Sequence, residues 1–325
     1  MKPSRRRTDE HMQSDSRGTR FGRDPRPLMA AIMATLVVAG IRFLGFDLTP
    51  AHVVTVIAGA LATQWVCTRL AGLPRFDPMS ALISGLGLSL LARTDSLVLA
   101  LITAIVSIAS KFVLRWNGKH VWNPTNLGLI LMVLLTGGAP GHPGLVWVSP
   151  GQWGDTAIFA FALASIGLVL VFRAARSDVT LAFLAAWALI LFGRATWLGQ
   201  PWAIPLHQLR NGALILFAFF MISDPRTTPD SRAGRILFGL IVALGAGLLQ
   251  FVAYRPNGPL WALAACAPLV PLLDHIVPGP RHAWSGRIPP AAPPRAESRE
   301  SKGVPDEGPS AVARPQPVPA SAGRA

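Results

Sequence analysis

From residue 27 to residue 277 one apolar run follows another, each ended by a short polar or Pro/Gly break, and most are long enough to cross ~30 Å of hydrocarbon. The runs fall at 27–46, 51–70, 79–92, 96–114, 124–137, 156–173, 179–193, 207–222, 235–254 and 259–277. In lipid a spanning segment has to satisfy its own backbone N–H and C=O groups, which helices do within a single run. The pattern predicts an all-α membrane protein of about ten transmembrane helices, with the bilayer as its first partner. The composition agrees, at 51% hydrophobic and 14% charged residues.

Both flanks differ from this body. Residues 1–26 are a basic segment and residues 279–325 are rich in Pro, Ala, Arg and Ser; neither can bury a core, so both are expected to be disordered tails around a membrane domain at 27–278. The first apolar run is long and no small-residue cleavage site follows it, so no cleaved leader is expected.

The net charge is +14, of which the tails supply +4 and +3. No basic stretch is interleaved with aromatic side chains as a nucleic-acid platform requires, so the charge reads as topology and no nucleic acid is expected as a partner. With the N-terminus cytoplasmic, all of the 30 Lys and Arg fall on the inside except Arg42, Arg93, Arg194, Arg210 and Arg255. This predicts a multi-pass protein of a bacterial-type inner membrane with both termini cytoplasmic.

Two distant regions share an order of parts. "SGLGLSLL" from Ser84 leads through a polar break and a long helix to "WNGKHVWNPTNLG", and "NGALILFA" from Asn211 leads likewise to "YRPNGPLWALA". About forty residues separate Gly85 from Asn123, and a few more separate Gly212 from Asn257, roughly what the added "PRTTPDS" supplies. A five-helix unit repeated once, at 27–137 and 156–278, enters the membrane from opposite sides because five is odd. The expected fold is therefore two inverted five-helix repeats with ligands at their interface.

Between residues 27 and 278 there is no Glu, and every Asp falls at a run end or in a loop, which disfavours a self-contained proton pump. Cys67 and Cys266 lie inside predicted helices without Cys-x-x-Cys spacing and read as small core residues. The histidines form no metal-binding spacing; His120 and His207 each sit beside a candidate site segment. Asn123 and Asn126, in "KHVWNPTNLG", precede or open an apolar helix whose free N–H groups would favour an anionic or electron-rich ligand, although plain helix capping explains the same residues. Ser84, Gly85, Asn211 and Gly212 would let backbone approach a ligand or a neighbouring helix. Thr227 and Thr228, in "SDPRTTPD", could contact a cofactor or partner subunit, or simply complete a capped turn.

"WNPTNLG" after Lys119-His120, together with "NGALILFAFFMISDPRTTPDSRAGRILFG", resembles a family of membrane subunits found in two redox systems. These are the D component of the Rnf electron-transport complex and the B component of the sodium-translocating NADH:quinone oxidoreductase. Within that family it looks closer to short stand-alone members of the kind associated with enediyne biosynthesis. The resemblance covers about residues 27–278 and implies a ten-helix inverted-repeat fold, a flavin and partner redox subunits. It also implies FMN joined through phosphate to a threonine in a Ser/Thr-Gly-Ala-Thr context on the outer side, with a further flavin, such as riboflavin, in the bundle. The partial match here is "GRATW", which makes Thr196, in the predicted outer loop before the eighth helix, the candidate for covalent FMN; the Ser/Thr-Gly context is missing.

The implied function is a membrane subunit that binds flavin and passes electrons across the membrane with partner subunits. Two alternatives stand beside it: a channel or transporter for a small solute on the same fold without a cofactor, and a non-catalytic export or assembly component whose tails dock partners.

Overall fold

The computed structural model describes residues 25–137, 144–149, 157–173 and 176–280, so the expectations for the two tails lie almost entirely outside the described residues. Helix α1 (Arg26–Arg42) is followed by α2 (Pro50–Leu70), α3 (Pro78–Leu91), α4 (Leu97–Val113) and α5 (Pro124–Thr136). Then come α6 (Ala157–Arg173), α7 (Ser177–Trp197), the short α8 (Ala203–Leu209) and α9 (Gly212–Leu216), which continues as a π-helical turn (Phe217–Met221). Helices α10 (Arg232–Phe251), α11 (Gly258–Cys266) and α12 (Leu269–Ile276) complete the described chain.

Local chemistry sets these boundaries. Thr49, Asp77, Ser96, Asn123, Asn211 and Ser231 each precede a helix and accept a hydrogen bond from a backbone N–H in its first turn, and Pro50, Pro78 and Pro124 occupy first-turn positions where no N–H partner is lost. Asn211, in extended conformation with its carboxamide on the N–H groups of Ala213 and Leu214, splits the predicted run 207–222 into α8 and α9. The run 259–277 is bent by 56° between α11 and α12, where Pro268 lacks the N–H that would continue the helix. Helix α7 runs on through Gly193–Trp197, so the segment expected to be an outer loop is the last turn of a helix, ended at Gly199 with φ +63°.

By length and composition, α2, α7 and α10 can each cross a membrane, and the bent pair α11–α12 counts as a fourth span if taken together. Helices α3, α4, α5 and α9 with its π turn are apolar but shorter; the 13 residues of α5 rise only about 20 Å. In the first half α1 packs on α3, α2 on α3 and α4, and α4 on α5; in the second, α6 packs on α9, α7 on α10, and α10 on α11. The halves meet where α5 touches α11, and Asn126 Nδ2 donates to Leu260 O at 3.1 Å, first turn against first turn.

Two antiparallel strand pairs, β1 (Ala92–Arg93) with β4 (Trp147–Val148) and β2 (Arg115–Trp116) with β3 (Lys119–His120), cover opposite ends of the first half. The end holding β2 and β3 also holds the start of α1 and the end of α12, and forms the terminal face. Arg26 pairs there with Asp77 at 2.9 Å, and Lys119 with Asp274 at 2.8 Å.

Candidate functional site

Two cavities lie on opposite sides of the α5–α11 contact. The terminal-face cavity holds about 100 Å³ and takes its wall from both halves: Ser80, Ser84 and Gly87 of α3, Lys111 of α4, Asn123–Thr125 at the start of α5, and Asp224–Arg226 from the hinge after the π turn. The far-face cavity, about 390 Å³, is lined by Trp187 of α7, Asn211, Leu214 and Phe217 of α9 and its π turn, Gln250 of α10, and Tyr254–Asn257 with Leu260. One helix serves both: Leu216 faces the first cavity and Phe217 the second.

The π turn makes that sharing possible. Thr180 Oγ1 donates to Ala218 O at 2.9 Å and Ser223 Oγ donates to Phe219 O at 2.7 Å, so consecutive carbonyls receive side-chain donors and the backbone ladder slips to wider spacing. Phe219, Phe220 and Met221 are thereby buried along the terminal-face cavity, opposite Met29 and Met33 of α1.

At the polar end of this cavity, Asn123 caps α5 through Asn126 N and spans to the hinge, donating weakly to Met221 O at 3.5 Å and Asp224 Oδ2 at 3.4 Å. Thr125 Oγ1 reaches Ser84 O at 3.4 Å. Burial raises the pKa of Asp224, and its hydrogen bond from Arg226 N and the nearby Arg226 charge offset this in part. Lys111 is 4% exposed although it ends a helix; its Nζ donates to Ser80 Oγ at 3.1 Å, and among the described residues no carboxylate lies within ion-pair distance of it.

His120, 5% exposed, belongs to the same wall, and its Nδ1 is buried without a partner. Burial first, then the charges of Arg226, Arg115 and Lys111, push its pKa down to about 3, so the imidazole is neutral. A hydrogen bond to the Lys111 backbone carbonyl is the one contact that favours its proton. With Nδ1 unpartnered, that proton sits on Nε2, and Nδ1 is left as an acceptor.

Of the residues singled out in the sequence, Ser84 and Asn123 line the terminal-face cavity and Asn211 the far-face cavity. Asn126 lies between the two, its Oδ1 buried without a partner. Gly85 packs against α2, where an added Cβ would lie 3.3 Å from Ile57 Cα. Gly212 is buried in the first turn of α9, and Thr227 and Thr228 are buried with both hydroxyls on Asp224 O, holding the hinge. None of these four lines either cavity.

Thr196 sits on the exposed last turn of α7 with Oγ1 on Phe192 O at 2.9 Å, beside Trp197, which is 88% exposed. It lines neither of these two cavities. The two cavities differ in chemistry. The far-face one has an aromatic wall, in which Trp187 is stacked against Phe183 and Phe251 while Tyr254 is exposed, with carboxamides from Asn211 and Gln250. The terminal-face one offers an orphaned acceptor, a buried ammonium and an apolar floor.

Lys111 and Gln250, at corresponding places on α4 and α10, were not singled out from the sequence. The spacing Thr103, Ser107, Lys111 puts three buried polar residues on one face of α4 and was the available signal. A second signal joins the hinges: Arg93-Thr94-Asp95-Ser96 and Arg226-Thr227-Thr228-Pro229-Asp230-Ser231 differ by an inserted Thr-Pro, and each ends in the serine that caps the next long helix.

A multi-helix membrane protein, with apolar helices long enough to cross a bilayer and one bent helix pair, is the class that this fold defines. Residues 141–281 match the family described as NQR2, RnfD, RnfE. The chain is 32% identical over 162 residues to the D component of the ion-translocating oxidoreductase complex of Cronobacter sakazakii, covering 49% of this chain and 42% of that protein. The same component from Erwinia tasmaniensis is 29% identical over 138 residues, covering 42% and 37%, and that from Escherichia coli is 31% identical over 138 residues, covering 42% and 38%. The resemblance to the RnfD family is thus shown, and the matched part spans less than half the length of these relatives.

Proposed function

We propose that the chain is a membrane subunit of an ion-translocating oxidoreductase of the Rnf type, which holds flavin between its two halves and passes electrons from one face of the membrane to the other. The observation that carries this is the pair of cavities on opposite sides of the α5–α11 contact, separated at one point by the adjacent residues Leu216 and Phe217. Electron transfer across a bilayer requires closely spaced carriers inside a water-poor protein, and this arrangement supplies two compartments with one helix between them.

The recurrent packing pairs and the matched hinges support two inverted five-helix repeats, in which α5 and α11 act as half-helices whose first turns meet centrally. Such half-helices also account for elements too short to cross alone. The distribution of Lys and Arg puts the terminal face in the cytoplasm.

The flavin would supply the redox chemistry. The chain's own residues would bind and orient: Trp187, Phe217 and Tyr254 supply an aromatic wall, Asn211 and Gln250 carboxamides, and Lys111 a donor. Electrons enter and leave through partner subunits, and ion coupling belongs to the assembled complex. That Thr196 lines neither cavity supports a flavin held there without a covalent bond.

The test is the absorption spectrum of the purified full chain before and after denaturation, with Thr196→Ala alongside. Flavin released on denaturation and retained by Thr196→Ala is the expected result. Flavin that stays on the denatured wild type and is lost from the variant would move the site to Thr196. Well-folded protein without flavin would overturn the redox reading and leave solute passage as the function to test.

A further inference from the structure

We infer that the terminal-face ends of α2 and α4 form a binding site for an anionic phospholipid, whose headgroup phosphate is held between Arg69 and Arg115 at the membrane surface. The site lies outside both cavities and does not depend on what they hold.

The two arginines stand at about the same depth. Helices α2 and α4 pack side by side and both end at the terminal face; a Cβ added at Gly59 of α2 would lie 2.6 Å from Leu101 Cδ1 and 3.4 Å from Ala104 Cβ of α4, which sets their register. Arg69 lies ten residues past Gly59 and Arg115 eleven past Ala104, so each is about 15 Å further toward that face at a rise of about 1.5 Å per residue. Packed helix axes are about 8–10 Å apart, a distance that two arginine side chains can close around one phosphate.

Both helices turn an apolar stripe outward here. On α2 the exposed positions Val54, Ala58, Ala62, Trp65 and Arg69 recur every three or four residues, and on α4 Val98, Ile102 and Ile105 do the same. The Arg69 guanidinium lies over the Trp65 ring at 5.6 Å, and that of Arg115 over the Phe112 ring at 5.8 Å. Each ring is about one turn deeper in the membrane than its arginine, so both guanidinium groups turn back toward hydrocarbon instead of reaching out to water. Contact with a ring face leaves their N–H donors in need of an acceptor at that depth.

The protein supplies none. Among the described residues neither guanidinium has a hydrogen-bond or ion-pair partner. Asp77, the one carboxylate between α2 and α3, is taken by Arg26 at 2.9 Å and by the Ser80 N–H at 3.2 Å, and residues 109–119 hold no acid. Leu70, Val113 and Trp116 are exposed around the pair, an apolar rim suited to the boundary between acyl chains and headgroups. Inorganic phosphate would engage the arginines and leave this rim in water, whereas a phospholipid satisfies both. A zwitterionic headgroup would also bring an ammonium toward Arg69, Arg75 and Arg115, which favours an anionic one.

The test is native mass spectrometry of the full chain released from nanodiscs that contain phosphatidylglycerol and phosphatidylcholine in equal amounts. The wild type is expected to retain phosphatidylglycerol preferentially, and Arg69→Gln/Arg115→Gln to lower that preference about tenfold with phosphatidylcholine unchanged. Arg69→Lys/Arg115→Lys, which keeps the charge and loses the planar fork, should fall between the two. Arg42→Gln/Arg210→Gln, at the opposite face, should match the wild type. Equal retention of the two lipids by the wild type, or an undiminished preference in the folded Gln pair, would overturn the inference and leave the arginines to acidic side chains of a partner subunit. Displacement of the lipid by inorganic phosphate at equal concentration would overturn it in favour of a free anion.

Discussion

Replacing Lys119 by Met should cost the fold about 3 kcal/mol, because Lys119 is where the first half grips the hinge of the second. Its Nζ lies 3.0 Å from Asp230 Oδ1 and 2.8 Å from Asp274 Oδ2, and Asp274 Oδ1 accepts the Asp230 N–H at 2.7 Å. The three side chains are 12%, 10% and 20% exposed and line a cavity of about 510 Å³, so this cluster is partly buried. Removing the cation leaves two partly buried carboxylates facing each other, a more damaging change than loss of a surface pair, which would cost under about 1 kcal/mol. Arg235 limits the damage, since its Nη1 holds Asp230 O at 2.7 Å while its other nitrogens clamp Asp178. Equilibrium unfolding of the full chain in mixed micelles, followed by tryptophan fluorescence, would measure the loss. Adding Asp274→Asn should recover part of it, with a coupling of about 1–3 kcal/mol in the double-mutant cycle. A Lys119→Met change within about 0.5 kcal/mol of wild type, or one abolished by 1 M salt, would refute the claim that these partly buried charges are coupled.

The remaining predictions follow from single contacts. His120 has a folded pKa of about 3 against about 6.5 unfolded, so between those values the unfolded chain binds a proton that the folded chain refuses. Its contribution to stability is present above pH 6.5 and is lost as the pH falls toward 3: about 2 kcal/mol should disappear between pH 7.5 and 5 in unfolding titrations, and His120→Gln should flatten that slope. At Gly128 a methyl group would come within 2.8 Å of Ser107 Cα, so Gly128→Ala should destabilise the α4–α5 contact by about 1–3 kcal/mol, with Ser107→Gly recovering part of the loss in the same assay.

Much of the framework was legible because hydropathy and capping act locally. The starts of α2, α3, α4 and α5 fall within a residue or two of the predicted runs, each marked by Thr, Asp, Ser or Asn before the apolar stretch. The departures have local causes that hydropathy does not register: Asn211 turns its carboxamide onto α9 and cuts one run in two, and α7 carries on past Thr196 until the left-handed Gly199 stops it.

The site was legible only in part. Asn123 and Ser84 stood out as a cap and a small residue in a recurring motif, and both reach the cavity wall. Lys111 did not, because a lysine at the end of an apolar run reads as a topological charge; only packing of α4 against α3 turns it inward. Trp187, Gln250 and Tyr254 meet from α7, α10 and the loop after it, and neither periodicity nor spacing along the chain brings them together.

The most direct test of flavin held between the halves is its stoichiometry when each cavity is filled from within. Ser84→Phe would block the terminal-face cavity and Ala213→Trp the far-face one, and flavin per chain would be read from absorbance after gel filtration of folded protein. The account predicts that each variant loses flavin relative to wild type and that the double variant carries none. Undiminished flavin in a well-folded double variant would contradict it.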